Sequence, residues 1–487
     1  LQLKEFSTDF VFQPAALGAL ASSSCLTQIQ LSRVPPQRFT AELCAALGSL
    51  RCLRKLHCWL HGHVQSASKS FPPEFVTAVA GLTQLEELTA HGFVPVTSLA
   101  ALPASLTHLA IQVCQMKGSK AAAGGRAKLQ MGHLTKLQSL DLLSLSAISA
   151  QSQLPAHVTA LKLLAKCGAV HCLPELQWLQ LPQVCIALPM LQTAVQQPKL
   201  QDLELGLQCA SQQQLQKVAD ALGRCTQLAE LHLYPKYGDS LATPIFESGP
   251  EHSIDLGEVR LQLQGLRQLQ RLRLTQIKWD LKGFSQLTVL NSLTQLAMDD
   301  CDIADAGLAV AFQRLTGLRQ LNMGGCLPDN ECLLVAMACL TNLESLSLIQ
   351  QKHTFTDATL PLLSPLTKLT YLTLRRPDPD EPDGKEDPLS AEVEEEFLAG
   401  MPSLRCIDWL SRCYLCILGW LYQVEERTAL CSCTPPADRP CVVGTVFEGV
   451  ELECYGGGLC GAIVHVAAGC CCSPGVTHCK CQCRTCI

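Results

Sequence analysis

The chain has 487 residues, of which 48% are hydrophobic and only 16% charged, with a formal net charge of −6. Ten Asp/Glu against one Lys fall between Pro377 and Glu396, so the remainder is close to neutral and argues for neither a nucleic-acid nor an acidic-membrane partner. Aromatic residues make up only 5% of the chain, which again speaks against nucleic acid, and no apolar run reaches the ~20 residues of a membrane-spanning helix.

Taken in order, the chain opens without Met on LQLKEF, already like the material that follows. A unit beginning L-x-x-L-x-L then recurs, with starts at Leu26, Leu53, Leu85, Leu106, Leu137, Val158, Leu176, Leu200, Leu228, Leu269, Leu293, Leu318, Leu343, Leu369 and Leu404. These are about fifteen units, most often 24 to 28 residues apart, and self-similarity at such a period marks a solenoid of stacked units. Three stretches interrupt it. Residues 117–128, KGSKAAAGGRAK, are small and basic and read as a convex loop. Residues 235–260 carry Pro235, Gly238, Pro244 and Gly249-Pro250 and lengthen one unit to 41 residues. The insertion near residues 377–391 opens with PDPDEPDGKED, Pro377 to Asp387, which is too polar to bury apolar surface and reads as disordered. Ser390–Leu398 reads as a short acidic helix whose carboxylates sit near its N-terminus, where the dipole favours them. From about Ser411 the pattern stops. The chain thus divides into a solenoid, residues 1–410, and a Cys-rich tail, residues 411–487.

The clearest copies run from Leu293 to Leu374. Leu318, Leu321 and Met323 have the spacing of a short strand entered from a turn, and Gln320, Asn322 and Gly324 alternate with them on the other face. So short a strand cannot stand alone. Stacked in parallel on copies of itself, it buries one face and pairs its backbone on both edges. The second half of a unit, such as AGLAVAFQRL, has apolar residues at helical spacing and packs behind the strand, with Asp302 or Asp305 placed to cap it. The predicted fold is α/β: short parallel strands on a concave face, helices or irregular segments on a convex face, and a poorly ordered tail.

These units resemble the leucine-rich-repeat family through its L-x-x-L-x-L-x-x-(Asn/Cys)-x-L pattern. Cys114, Cys301 and Cys326 stand at the Asn/Cys place, and CDIADAGL is similar to the cysteine-containing, ribonuclease-inhibitor-like subclass. Other units depart from it, with Lys166, Gln351 and Pro377 in that place. The resemblance implies a non-enzymatic protein–protein interaction scaffold or adaptor. It implies a cytoplasmic location, with the cilium axoneme and the cytoskeleton as candidates, and a substrate-receptor subunit of a ubiquitin ligase as an alternative role.

In that family the residues alternating with the buried leucines line the concave face. Neighbouring strands lie about 4.8 Å apart, so Trp178, Asp202, Glu204, Glu230, His232, Tyr234, Arg271 and Arg273 form one expected partner-binding patch. Trp, Tyr and Arg are the usual interface anchors. The plainer reading is a solvated polar face whose ion pairs contribute little. Of the 29 Cys, fourteen are scattered through the repeats and read as reduced, small apolar residues, while fifteen crowd into Cys406–Cys486. CKCQCRTC makes Cys479, Cys481, Cys483 and Cys486 an alternative thiolate metal site. Structural or lipid-modified thiols, or a tail that is not a natural folded domain, are the other readings. No cofactor is implied, no GxxxxGK[ST] loop is present, and the repeat cysteines lack the setting that makes a thiol reactive.

Overall fold

Leucines three residues apart shape each unit before its strand begins. The N–H of the second Leu in an L-x-x-L pair reaches back to the carbonyl of the first: Leu53 to Leu50 and Leu343 to Leu340 at 2.9 Å, Leu85 to Leu82 and Leu369 to Leu366 at 3.0 Å. This turn delivers the chain into an extended segment whose alternate side chains point inward. A computed structural model describes residues 4–8, 26–35, 38–60, 70–114, 128–144, 148–149, 151–164, 173–182, 184–207, 212–235, 254–255, 263–279, 281–303, 305–325, 331–349, 355–375, 390–410 and 441–444. The chain divides into two compact units, residues 1–271 and 272–487.

In the first unit, ten strands follow one another in parallel: β1 (Glu5–Thr8), β2 (Gln28–Val34), β3 (Lys55–Leu60), β4 (Glu87–Pro95), β5 (His108–Cys114), β6 (Ser139–Ser144), β7 (Ala160–Leu164), β8 (Trp178–Leu181), β9 (Asp202–Gly206) and β10 (Glu230–Tyr234). Their register aligns Leu56, Leu88, Leu109, Leu140, Leu161, Leu179, Leu203 and Leu231 as one inward column, none more than 2% exposed. Each such full burial contributes about 1.5–3 kcal/mol, so the repeated Leu dominates the folding of every unit. The register is pinned at the N-terminal edge, where one carbonyl takes two N–H groups from the next unit. Arg54 O receives Glu86 and Glu87, and Gln201 O receives Ala229 and Glu230. The Thr107 hydroxyl donates to the same carbonyl row, to Glu86 O at 2.9 Å.

Helices α1 (Ala41–Gly48), α2 (Pro73–Ala80), α3 (Val184–Ala194) and α4 (Gln212–Leu222) lie between strands of this unit. α1 starts at Thr40, whose Oγ1 accepts the Leu43 N–H at 3.3 Å, and α2 starts on Pro73, where a missing N–H costs nothing. Phe39, Phe71 and Phe75 pack ring to ring, with centroids 4.2 to 5.6 Å apart. β9 ends on Gly206 because a Cβ there would stand 1.9 Å from the Pro182 carbonyl oxygen. A two-residue strand, β11 (Ile254–Asp255), is the one described piece of the 236–262 stretch.

The second unit repeats the design. β12 (Arg271–Thr275, whose first residue closes the first unit), β13 (Ile277–Trp279), β14 (Gln295–Asp299), β15 (Asp302–Ile303), β16 (Gln320–Gly324), β17 (Ser345–Ile349), β18 (Tyr371–Arg375) and β19 (Cys406–Leu410) come in chain order, with helices α5 (Leu281–Leu287), α6 (Asp305–Arg314), α7 (Glu331–Met337) and α8 (Ala391–Ala399). β12, β14 and β16 to β19 are sheet neighbours, while β13 and β15 pair in parallel outside that sheet. Leu296, Leu321, Leu346, Leu372 and Ile407 make the inward column, again at most 2% exposed. Three successive strands end in a left-handed residue: Gln276 and Asp300 at φ 51° and Gly325 at φ 65°. Their N–H groups donate to Asp299, Gly324 and Ile349 carbonyls at 2.6 to 2.7 Å. That conformation is costly for Gln and Asp, and the stacked hydrogen bonds hold it.

Each unit is therefore an α/β stack of short parallel strands with helices between them, the leucine-rich-repeat solenoid architecture expected. Leu321 and Met323 point inward, as their spacing predicts. α8 is the acidic helix anticipated, with the Ser390 hydroxyl accepting the Val393 N–H at 3.4 Å and Glu392 and Glu394 in its first turn. Asp305 is the first residue of α6 and Asp302 belongs to β15. The tail also reaches the sheet: β20 (Cys441–Gly444) pairs in parallel with β19, so strand pairing continues past residue 410. An outer strand offers a row of unpaired N–H and C=O groups to any extended segment. The remainder of the tail, including Cys479, Cys481, Cys483 and Cys486, lies outside the described residues, as do 117–127, 236–253 and 377–389.

Candidate functional site

Alternation within β8, β9 and β10 turns one residue in two toward the open face, and the parallel register sets them in rows. Trp178, Asp202 and Glu230 form one row; Gln180, Glu204 and His232 form the next. Arg271 joins the first row, its N–H donating to Ala229 O at 3.0 Å, and its guanidinium pairs with Glu230. Gln180 Nε2 donates to Glu204 Oε2 at 2.8 Å, and His232 Nδ1 lies 3.9 Å from the same oxygen. Trp178, Asp202, Glu204, Glu230 and His232 are half-buried and Arg271 is exposed. Six of the eight expected residues thus come together on one face of the first unit.

Tyr234 is a correction. It is 2% exposed and is not the projecting aromatic anchor expected. Gln180 Nε2 donates to its hydroxyl at 3.4 Å, and Gln180 is two strands away, so the phenol lies across β9. Its partner in register is Gly206, whose missing side chain leaves room for the Pro182 backbone. Its ring sits 4.8 Å from that of His232. Tyr234 is floor beneath the patch. Gln180, on an outward position of β8, is 8% exposed, its amide held by Glu204 and the Tyr234 hydroxyl. Arg273 follows two residues after Arg271 on β12. It belongs to the second unit, where its Nη2 lies 3.2 Å from Asp299 Oδ2.

The first unit's open face carries a second aromatic that the expected patch left out. Trp59 is 50% exposed and packs at a tilt against His91, with a centroid distance of 4.6 Å. Burial, with Lys162 and His57 nearby, holds His91 below the ordinary imidazole value. Glu87 takes Lys55 at 3.0 Å and His57 at 3.4 Å. Farther along, Asp141 faces Lys162 at 3.9 Å, and burial pushes its carboxyl up despite that cation.

The thiols of Cys44, Cys58 and Cys225 are buried. Burial raises Cys44 to about 11 and Cys225 to about 12, and moves Cys58 in the same direction, so none is a nucleophile near neutral pH. Among the described residues no group of three or more His, Cys, Asp or Glu is arranged to hold a metal ion. Nor, among them, is any helix long and apolar enough to cross a membrane. Two depressions, of about 430 and 510 Å³, lie along the N-terminal strand edges, lined by Glu344, Thr370 and Arg405 in one case and Thr107, Gln138 and Thr159 in the other. Neither opens on the concave patch.

No protein-family model matches the chain, and no curated protein does. Among solved structures it is similar to an internalin (inlF) from Listeria monocytogenes, at 15% identity and a TM-score of 0.33, over 81% of this chain and 83% of that one. It is also similar to TLR13 in its complex with ssRNA13, at 15% identity and a TM-score of 0.44, over 79% of this chain and 62% of that one. The chain thus spans less than two thirds of the TLR13 chain. At these values neither likeness bears on function, and the architecture rests on the strand ladders themselves.

Proposed function

We propose that the protein is an interaction scaffold or adaptor whose first unit recognises a protein partner on its concave face, through Trp178, Asp202, Glu204, Glu230, His232 and Arg271. The observation that carries this reading is the register of β8, β9 and β10. It gathers an aromatic, three carboxylates, an imidazole and a guanidinium on a face that the core does not use. Trp and Arg desolvate with little loss of side-chain freedom, which makes Trp178 and Arg271 the anchors. Tyr234 supports them from below. Within this reading Cys301, 6% exposed with Sγ 3.4 Å from Leu274 O, fills the Asn/Cys place as in the cysteine-containing subclass.

Trp178→Ala and Arg271→Ala should each weaken partner binding by about 1–3 kcal/mol and leave the melting temperature unchanged. Full binding by both variants, at parental stability, would contradict the proposal.

A further inference from the structure

Four side-chain oxygens among the described residues are buried without a donor: Asp141 Oδ1, Gln276 Oε1, Asp299 Oδ1 and Asn322 Oδ1. Three of the four belong to the second unit, and Asp299 and Asn322 lie on one face of neighbouring strands. The Gln276 N–H donates to Asp299 O at 2.7 Å. Asp299 is opposite Gly324 in register, and a Cβ on Gly324 would stand 3.1 Å from Asp299 Oδ1. Asn322 lies two residues before Gly324 on the same face of β16, diagonal to Asp299. Asp299 is on an outward position yet 5% exposed. Its Oδ2 takes Arg273 Nε at 3.3 Å and Nη2 at 3.2 Å, and its Oδ1 takes nothing. Burial pushes the carboxyl up while Arg273 pulls it down. The outward residues around Asn322 are small: Ala297 and Ser347 beside it, and Gly324 next along the strand.

A buried acceptor without a donor destabilises the fold and asks for an explanation. Two on one face, Asp299 Oδ1 and Asn322 Oδ1, point to donors supplied from outside. A cationic donor is opposed by the Arg273 guanidinium already seated on Asp299, and an anion is opposed by Asp299 itself. A neutral group carrying both N–H donors and a carbonyl fits. We propose that Arg273, Asp299 and Asn322 form a subsite on the second unit's concave face for a carboxamide, the side chain of an Asn or Gln on a protein partner. Its NH₂ donates to Asp299 Oδ1 and Asn322 Oδ1. Its carbonyl accepts from Arg273, which has five N–H donors and uses only Nε and Nη2 on Asp299. The Arg273 side chain, 38% exposed, is the piece that shifts to admit it. This subsite lies in a different unit from the patch proposed above, so either can fail without the other.

The test uses the full chain with Asn-selective ¹⁵N labelling. The Asn322 side-chain NH₂ signals are assigned by their loss in Asn322→Ala, and propionamide, propionate and propylamine are titrated as probes. Propionamide should shift those signals with an affinity at least fivefold above either charged probe. The Asn322→Ala variant removes an acceptor that has no donor, so it should melt at the parental temperature or about 1–3 °C higher. Two results would overturn the proposal. One is a response to propylamine or propionate equal to that of propionamide, or no response to any probe. The other is a clear fall in the melting temperature of Asn322→Ala, which would make Asn322 a satisfied structural residue.

Discussion

On the first unit's concave face charge meets charge: Lys55 with Glu87, Lys162 with Asp141, Arg271 with Glu230. On the second unit's, the pair of Arg273 with Asp299 stands among Gln295, Gln320, Asn322, Ser345, Ser347, Tyr371 and Thr373. The inward columns of the two units are nearly the same leucines at the same burial. The comparison separates two jobs in one repeat: alternate residues of each strand hold the fold, and the residues between them are free to set the chemistry of the open face. A charged face and a hydrogen-bonding face should differ in how they respond to mutation, salt and pH.

The largest effect should come from the shared part. Leu203→Asp in the first unit and Leu321→Asp in the second each bury an unpaired carboxylate between two packed neighbours, and each should cost more than about 3 kcal/mol in denaturant unfolding. Asn322→Asp, one position along, should cost far less. Comparable unfolding midpoints for Leu321→Asp and Asn322→Asp would show the assigned register to be wrong.

Next come the two strand-ending glycines. Gly206→Ala drives a Cβ to 1.9 Å from a backbone oxygen that cannot yield, and should cost about 1–3 kcal/mol. Gly324→Ala meets only the Asp299 carboxylate at 3.1 Å, a side chain that can turn, and should cost less. The reverse order in thermal melts would mean that the second unit, not the first, has the closer-packed concave edge.

The smallest effect is a pH response at His91 on the first unit's face. His91 has a folded-state value below 6.5, so the folded protein takes up its proton less readily than the unfolded chain. Its contribution to stability is present above 6.5 and is lost as pH falls from 6.5 through the lowered value. The raised carboxyls of Asp141 and Asp299 act in the opposite sense. Their contribution is full below the ordinary carboxylate value near 3.8 and is lost as pH rises through the higher folded value. His91→Gln should therefore lose less stability than the parent between pH 7 and pH 5, by about 1–2 °C in melting temperature. Identical pH profiles would place His91 in an ordinary solvated setting.

The solenoid is legible in the sequence because the Leu columns are both the strongest periodic signal and the largest energetic contribution. Spacing alone assigns Leu321 and Met323 inward, and they are inward. The candidate site is legible only at the level of rows. Tyr234 falls on an outward position but is covered, its hydroxyl held by Gln180 two strands away, and no single-strand pattern records a contact across the sheet. Asp299 also falls on an outward position, and Arg273 covers it. Proximity in sequence groups Arg273 with Arg271, yet the first unit ends between them. The orphaned oxygens of Gln276 and Asn322 leave no trace in a pattern of apolar spacing. The pairing of β20 with β19 is likewise hidden, because CVVG carries no repeat signature.

The central claim is that the first unit's concave patch is a protein-recognition surface. Site-specific photo-crosslinking in the native cell tests it whatever the partner's identity. A photoreactive phenylalanine analogue is placed at Trp178 on the concave face or at Val310 on α6, both in the full chain. Crosslinking at position 178 should yield a discrete adduct with another protein, lost when Arg271→Ala is added, and position 310 should yield none. Equal crosslinking from both positions, or a discrete adduct at 310 alone, would place recognition away from the concave face and contradict the claim.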